Sequence, residues 1–272
     1  MSSLASAFRP DKVRGTSWRV SPEVVTALVF REWLVFRHVW ASVAFGSLLE
    51  PVTYFVAFGY GYGALVSELA GLSYLEFIAT GTIAIGVLFS SIFPALINGY
   101  VRRRIQGLYD GLLSAPVSVA ELLTGESLWN ALRVTMVALI TTLVAMLFGV
   151  RFGAGVVLVP VIAIVAGFGF ACAGAAFGAL MRSAHQFDFV IVGVIVPMFI
   201  CAGTFFPIEN LPAVLNFVAR INPLYHCVEV LRAAAFGVHD AGTTLGHIAV
   251  VVGFDVIAWV TGVLTFRNAV ID

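Results

Sequence analysis

The chain has 272 residues; 60% are hydrophobic, 11% are charged, the formal net charge is zero and the mean hydropathy is +1.01. A soluble domain is nearer half apolar and a quarter charged, so this composition excludes a soluble globule and describes an integral membrane protein. The neutral balance argues against a nucleic-acid partner, and the scattered Cys172, Cys201 and Cys227, with no CxxC, imply no disulfide framework and no metal site.

Residues 1–20 read as a basic tail with no cleavable leader. Residues 21–38, SPEVVTALVFREWLVFRH, form a helix start, with Ser21 as cap, Pro22 at the first helical position and Glu23 in the first turn. Its apolar surface of Val24, Leu28, Trp33, Leu34 and Phe36 suits a helix lying in the membrane interface; the plainer alternative is that it extends the first span. Six segments are apolar over roughly the 20 residues that a bilayer requires: 39–63, 77–100, 127–149, 156–180, 188–207 and 246–266.

Basic residues orient these spans. With the N-terminus inside, eleven lysines and arginines fall on the cytoplasmic side and three outside, so both termini are expected in the cytoplasm. The expected fold is all-α: six transmembrane helices in one domain, an N-terminal interfacial helix, a cytoplasmic coupling helix and an external re-entrant hairpin before the last span.

The first span ends in GYGYG, 59–63, which is similar to a potassium-channel filter. It lacks a preceding pore helix, and its glycines suit a loosened helix end or a close helix approach. The cytoplasmic segment 101–123 is expected as two short helices, 102–113 and 119–123, broken at Ser114–Ala115–Pro116. Its Arg102, Arg103, Arg104, Leu108, Tyr109, Asp110, Leu112, Leu113 and Pro116 are candidates for docking a soluble partner; the alternative is that the arginines only anchor the second span against headgroups.

Residues 203–232, GTFFPIENLPAVLNFVARINPLYHCVEVLR, are too polar to span and too apolar for an exposed loop. Pro207 is expected to end the fifth span, with short helices at 211–220 and 223–236. Irregular backbone at membrane depth survives where protein covers it. The segment 207–236 is therefore read as a re-entrant lid, the alternative being a helix flat on the outer leaflet. Glu50, Arg133 and Asp255 lie inside spans and are read as structural: an internal pair such as Glu50 with Arg133, or a neutral buried acid.

Candidate path-lining residues are Thr80, Thr82, Ser90, Ser91 and Asn98 in the second span and Met198, Phe199, Thr204 and Phe205 in the fifth; helix–helix hydrogen bonding is the other role open to these hydroxyls. No catalytic constellation is present. A phosphate-binding loop needs a lysine after its glycines, and the only lysine is Lys12, followed by Val13. If ATP drives this chain, another polypeptide binds it.

The order of parts resembles the membrane subunit of type-2 ABC exporters, most of all the nodulation-type lipooligosaccharide exporters. The resemblance is carried by GLYDGLLSAPVSVAELLTGESLW, by EPVTYFVAFGYGYG and by Phe206–Pro207, Leu211–Pro212, Pro223–Leu224, His226 and Glu229–Arg232. It implies a permease dimer, of like or paralogous protomers, each with a separate ATPase that holds ATP and magnesium. It also implies 101–123 as the coupling segment and 207–232 as the external gate. The substrate would be a lipid-linked glycan, a lipid or an amphipathic compound. A drug-efflux permease of the same architecture and a passive channel are the alternatives. Asp255 departs from the family's pattern.

Overall fold

A computed structural model describes residues 18–63, 65–66, 68–113 and 116–271, and all their side chains but those of residues 110, 113, 270 and 271. The basic tail with Lys12, the Ser114–Ala115 break and the side chains of Asp110 and Leu113 lie outside the described residues.

Nine helices of six residues or more are described: α1 Pro22–Tyr62, α2 Tyr74–Ile105, α3 Leu108–Leu113, α4 Val119–Leu147, α5 Ala154–Leu180, α6 Ala184–Ile200, α7 Ala213–Ile221, α8 Pro223–Phe236 and α9 Ala241–Ile271. Five of them (α1, α2, α4, α5 and α9) are long and apolar enough to cross a membrane. The sixth, α6, rises about 26 Å, just short of a hydrocarbon core about 30 Å thick.

Three expected boundaries differ. Residues 21–38 are not a separate helix: α1 runs unbroken from Pro22, α-helical to Tyr54 and π-helical over Phe55–Tyr62. No glycine or proline interrupts it near residue 38, and at about 60 Å it is twice the thickness of a hydrocarbon core. The piece at 119–123 is likewise not separate but forms the first turn of α4. Ser118 and Glu121 close a capping box there, the Ser118 hydroxyl accepting from the Glu121 N–H and the Glu121 carboxylate from the Ser118 N–H. Finally, α6 ends at Ile200 rather than at Pro207; the chain turns through Cys201–Phe206, with Gly203 in the left-handed region at φ +68°.

The bundle is built around α2 and α5. Spans α2, α4 and α9 all pack on α5, and α1 packs on α4. The main core joins Ile83, Leu88 and Ile92 of α2, Val134 of α4, Phe170 of α5 and Leu224, Val228 and Leu231 of α8. Close approach rests on small residues, as in membrane bundles generally. Gly174 and Gly178 of α5 are one turn apart, and a Cβ on them would stand 2.5 Å from the Ile92 carbonyl oxygen and 2.6 Å from that of Leu96.

Candidate functional site

Two constructions stand out, one at each end of the bundle. At the end bearing Arg102–Arg104, α2 finishes in a π-helical turn, Val101–Ile105. Gly107 then reverses the chain at φ +59° into α3. The expected helical piece 102–113 is therefore two: the end of α2 and the six residues of α3.

Arg102 does not point out to solvent. Its guanidinium donates to Glu32 of α1 (2.9 Å) and to Glu126 of α4 (2.6 Å), and Arg31 adds bonds to Glu32 (2.5 Å) and Glu126 (3.3 Å). Tyr109 of α3 is 1% exposed, packs on Phe266 of α9 and donates its hydroxyl to Glu126 at 2.7 Å. Burial first, then the Glu126 carboxylate, push the Tyr109 phenol well above its ordinary range, so it remains a donor. Arg103 donates to the Met181 carbonyl oxygen at 2.8 Å and to that of Ala269 at 3.4 Å.

The docking candidates thus divide. Arg102, Arg103 and Tyr109 are internal ties: Arg102 and Tyr109 bond α1 and α4, and Arg103 bonds the chain just after α5 and the end of α9, its Nε being left without a partner. Leu112 is half-buried against the same core. Arg104, Ile105, Leu108 and Pro116 face outward, Ile105 being 69% exposed. Ser21 also differs from expectation: it stands at the N-cap of α1 but makes no capping bond of its own, its hydroxyl donating to Glu121 at 2.6 Å. One carboxylate thereby anchors the starts of both α1 and α4.

At the opposite end, α7 and α8 form a helical pair broken at Asn222. Its side chain accepts from the Leu224 N–H (3.0 Å), capping α8, and donates to the Met198 carbonyl oxygen at the end of α6 (2.6 Å). Pro223 supplies the first residue of α8. Helix α8 is buried among α2, α5 and α9, whereas α7 leaves Val214, Phe217 and Ile221 more than half exposed.

Arg232 holds this end together. Its guanidinium donates to Glu229 (2.5 Å) and to the Gly203 carbonyl oxygen (2.7 Å), and lies 3.8 Å from the centre of the Phe77 ring of α2. It borders a cavity of about 230 Å³ shared with Pro207, Glu209, Tyr225 and His239. The His239 Nε2 lies 2.6 Å from Glu229. His226 bonds the Arg220 carbonyl oxygen and meets the His247 Nδ1 of α9 at 2.7 Å, a contact that needs one protonated and one bare nitrogen. Phe206 and Pro207 are half-buried in the turn, Leu211 packs with Ile208 and Ala219, and Pro212 caps α7. Among the described residues, no group of three or more His, Cys, Asp or Glu is arranged to hold a metal.

The path candidates are not brought together on one open face. Thr80 and Ser91 are buried and donate to Phe77 and Val87 carbonyl oxygens of their own helix, and Thr82 is buried. Thr204 sits against Gly81, where a Cβ would collide with its carbonyl oxygen. These side chains serve packing. Ser90, half-buried, lends its carbonyl oxygen to Arg133. Asn98 is exposed beside Arg102. Phe199 and Phe205 join an aromatic row with Tyr54 and Phe58 of α1, Phe205 stacking 4.7 Å from Phe58, and Met198 is half-buried beside it.

The intramembrane charges also stand apart. Arg133 donates to the Ser90 carbonyl oxygen at 2.7 Å and does not pair with Glu50, which forms no ion pair among the described residues. Asp255 is buried against Gly169 of α5, with Oδ1 unpartnered.

Comparison with known proteins places these features in context. Residues 23–236 match the family model described as ABC-2 type transporter. Nodulation protein J of Rhizobium meliloti is 29% identical over 208 residues, 76% of this chain and 79% of that protein. Nodulation protein J of Rhizobium leguminosarum bv. viciae is 28% identical over 88% of this chain and 92% of its own length. The inner membrane transport permease YadH of Escherichia coli is 23% identical over 82% of this chain and 88% of its own length.

Proposed function

Because the chain belongs to the ABC-2 type transporter family, whose members are membrane subunits that generally work as dimers with an ATPase, we propose that it is the permease half of an ATP-driven exporter. The substrate class is a lipid-linked glycan, a lipid or another amphipathic compound, moved out of the cytoplasm across the inner or plasma membrane. ATP and magnesium belong to the separate ATPase. In this reading both termini and the Arg102–Arg104 end face the cytoplasm, following the bias of basic residues, and the α7–α8 pair covers the external end.

One observation carries the reading. The outward face of Arg104, Ile105 and Leu108 is joined, through Tyr109 and Arg102, to an ionic cluster that ties α1, α2 and α4 together. A push on α3 by a soluble motor is thereby delivered to three spans as a unit. At the far end α2 meets Arg232 through Phe77, so movement of α2 reaches the α8 gate directly. The amphipathic substrate class is supported by the likeness to the nodulation proteins and by the aromatic faces of α1 and α6, beside which the acid Glu50 lies.

Comparative mass spectrometry of lipid extracts from cells and medium, with and without the gene, tests the reading. An amphipathic species should shift from the external to the cell-retained fraction in the deletion and return on complementation. Identical extracts from the two strains would contradict an exporter of this class.

A further inference from the structure

We propose that the groove between α1 and α4 at the Arg102 end holds an anionic phospholipid of the adjoining leaflet, its phosphate on Arg133. The inference does not depend on the transport reading. The groove encloses roughly 700 Å³ and is lined by Phe30, Trp33, Phe36, Trp40 and Trp129, with Arg133 as its one charged group. Trp33, Trp40 and Phe30 are each about half exposed, and Trp129 packs edge-on against Trp33 (6.2 Å) and Phe36 (5.5 Å).

Charge complementarity identifies the occupant. Behind the groove lies a polar cavity of about 280 Å³ that Phe36, Trp129 and Arg133 also line. Its charged groups, with the adjacent Arg31, are three arginines (Arg31, Arg102 and Arg133) against two carboxylates (Glu32 and Glu126). Both carboxylates are already taken by Arg31 and Arg102. Arg133 is left with one hydrogen bond, to the Ser90 carbonyl oxygen, and no ion pair among the described residues; Glu32, which acts on it through space, is shared with both other arginines. A guanidinium within a membrane span needs a counter-charge, and the planar fork of arginine fits a phosphate.

Depth agrees with a lipid phosphate. Arg133 lies seven residues beyond Glu126, about 10 Å along α4. The three tryptophans occupy the zone where indoles mark a membrane–water boundary, and a side chain of this length snorkels toward that boundary. An amphiphile presenting one anion beside hydrocarbon matches a groove with one cation beside five aromatic rings.

Three of the five tryptophans in the chain line the groove, so their fluorescence reports its occupant. The full chain is reconstituted in phosphatidylcholine vesicles containing a minor fraction of phosphatidylglycerol with brominated chains, and in vesicles where the bromine is carried by the same fraction of phosphatidylcholine. Brominated phosphatidylglycerol should quench in excess of its mole fraction, with an enrichment of about fivefold, the effect of one charge-assisted contact worth about 1 kcal/mol. Arg133→Gln should remove the excess, and Arg133→Lys should keep most of it. The variant with Trp33, Trp40 and Trp129 all changed to Phe should show none from Trp18 and Trp259. Equal quenching by both lipids in the unmodified chain would overturn the proposal. So would an undiminished excess in Arg133→Gln or in the triple tryptophan variant.

Discussion

Replacing Arg102 by Met removes the cation that separates two carboxylates. Arg102, Glu32 and Glu126 have side chains 19%, 9% and 13% exposed, and one guanidinium reaches both acids within 2.9 Å. Removing one partner of a buried ion pair costs about 3–5 kcal/mol. Arg31 stays in contact with both acids, and the residual exposure screens the repulsion, so the loss is about 2–3 kcal/mol. At about 2–4 °C per kcal/mol for a chain of this size, the melting point should fall by about 4–12 °C. All three cysteines are buried, so a thiol-reactive fluorophore reports unfolding of the detergent-purified protein without an added label. Arg102→Met combined with Glu126→Gln should recover part of the loss, because Arg31 then faces the single carboxylate of Glu32 and the cluster is neutral again. A melting point for Arg102→Met within a degree or two of that for the exposed Arg104→Met would refute the argument. A double variant no more stable than the single one would refute it equally.

Gly174→Val or Gly178→Val, each pressing a side chain onto the backbone of α2, should abolish accumulation of folded protein in membranes, while Gly246→Val, with open space around it, should not; fluorescence-detected size exclusion distinguishes them. Arg232→Met should lower the melting point by an amount similar to Arg102→Met, since it leaves buried Glu229 with His239 alone and frees the Gly203 turn; Arg232→Met with Glu229→Gln should recover part of it. Tyr109→Phe, losing one hydrogen bond to a carboxylate, should cost about 1.5 kcal/mol, with the exposed Arg104, Ile105 and Leu108 unchanged. Tyr109→Asp should instead prevent folding, measured as loss of the monodisperse peak, because it buries a second carboxylate against Glu126.

The spans read most easily from sequence were α2 and α5, whose segments 77–100 and 156–180 carry no charge, because apolar length is a sufficient signal there; Arg133 within α4 and Asp255 within α9 blur that signal. Hydropathy has no resolution for how far a helix continues beyond the bilayer. Whether 21–38 lies in the interface or extends the first span therefore stays open in the sequence, and the joining of 119–123 to α4 is hidden, although the Ser118–Glu121 spacing is a visible capping box. Pro207 reads as the end of the fifth span because prolines stop helices. The chain had already left the helix after Ile200, at a turn whose φ +68° glycine gives a weaker signal. The paired helices around Asn222 were legible because Pro212 and Pro223 punctuate them.

At the site level, residue type misled where pairing was decisive. Arg102 and Tyr109 look like surface docking groups in a polar segment. Their commitment to Glu126, 24 and 17 positions away, is a tertiary fact. The hint available was two carboxylates, Glu32 and Glu126, each in an apolar helix where an acid needs a cation. Buried Thr80 and Ser91 show why a hydroxyl in a span is ambiguous in sequence: each needs an acceptor, and a carbonyl of the same helix supplies it.

The account turns on coupling through α3, and the most direct measurement is ATP hydrolysis by the complex isolated through a tag on this chain. Vanadate-sensitive hydrolysis should accompany the unmodified chain and be lost from the Ile105→Asp, Leu108→Asp double variant, which alters only exposed side chains and should still fold and insert. Undiminished hydrolysis and export by that variant would contradict the account, as would uphill transport by the purified chain alone.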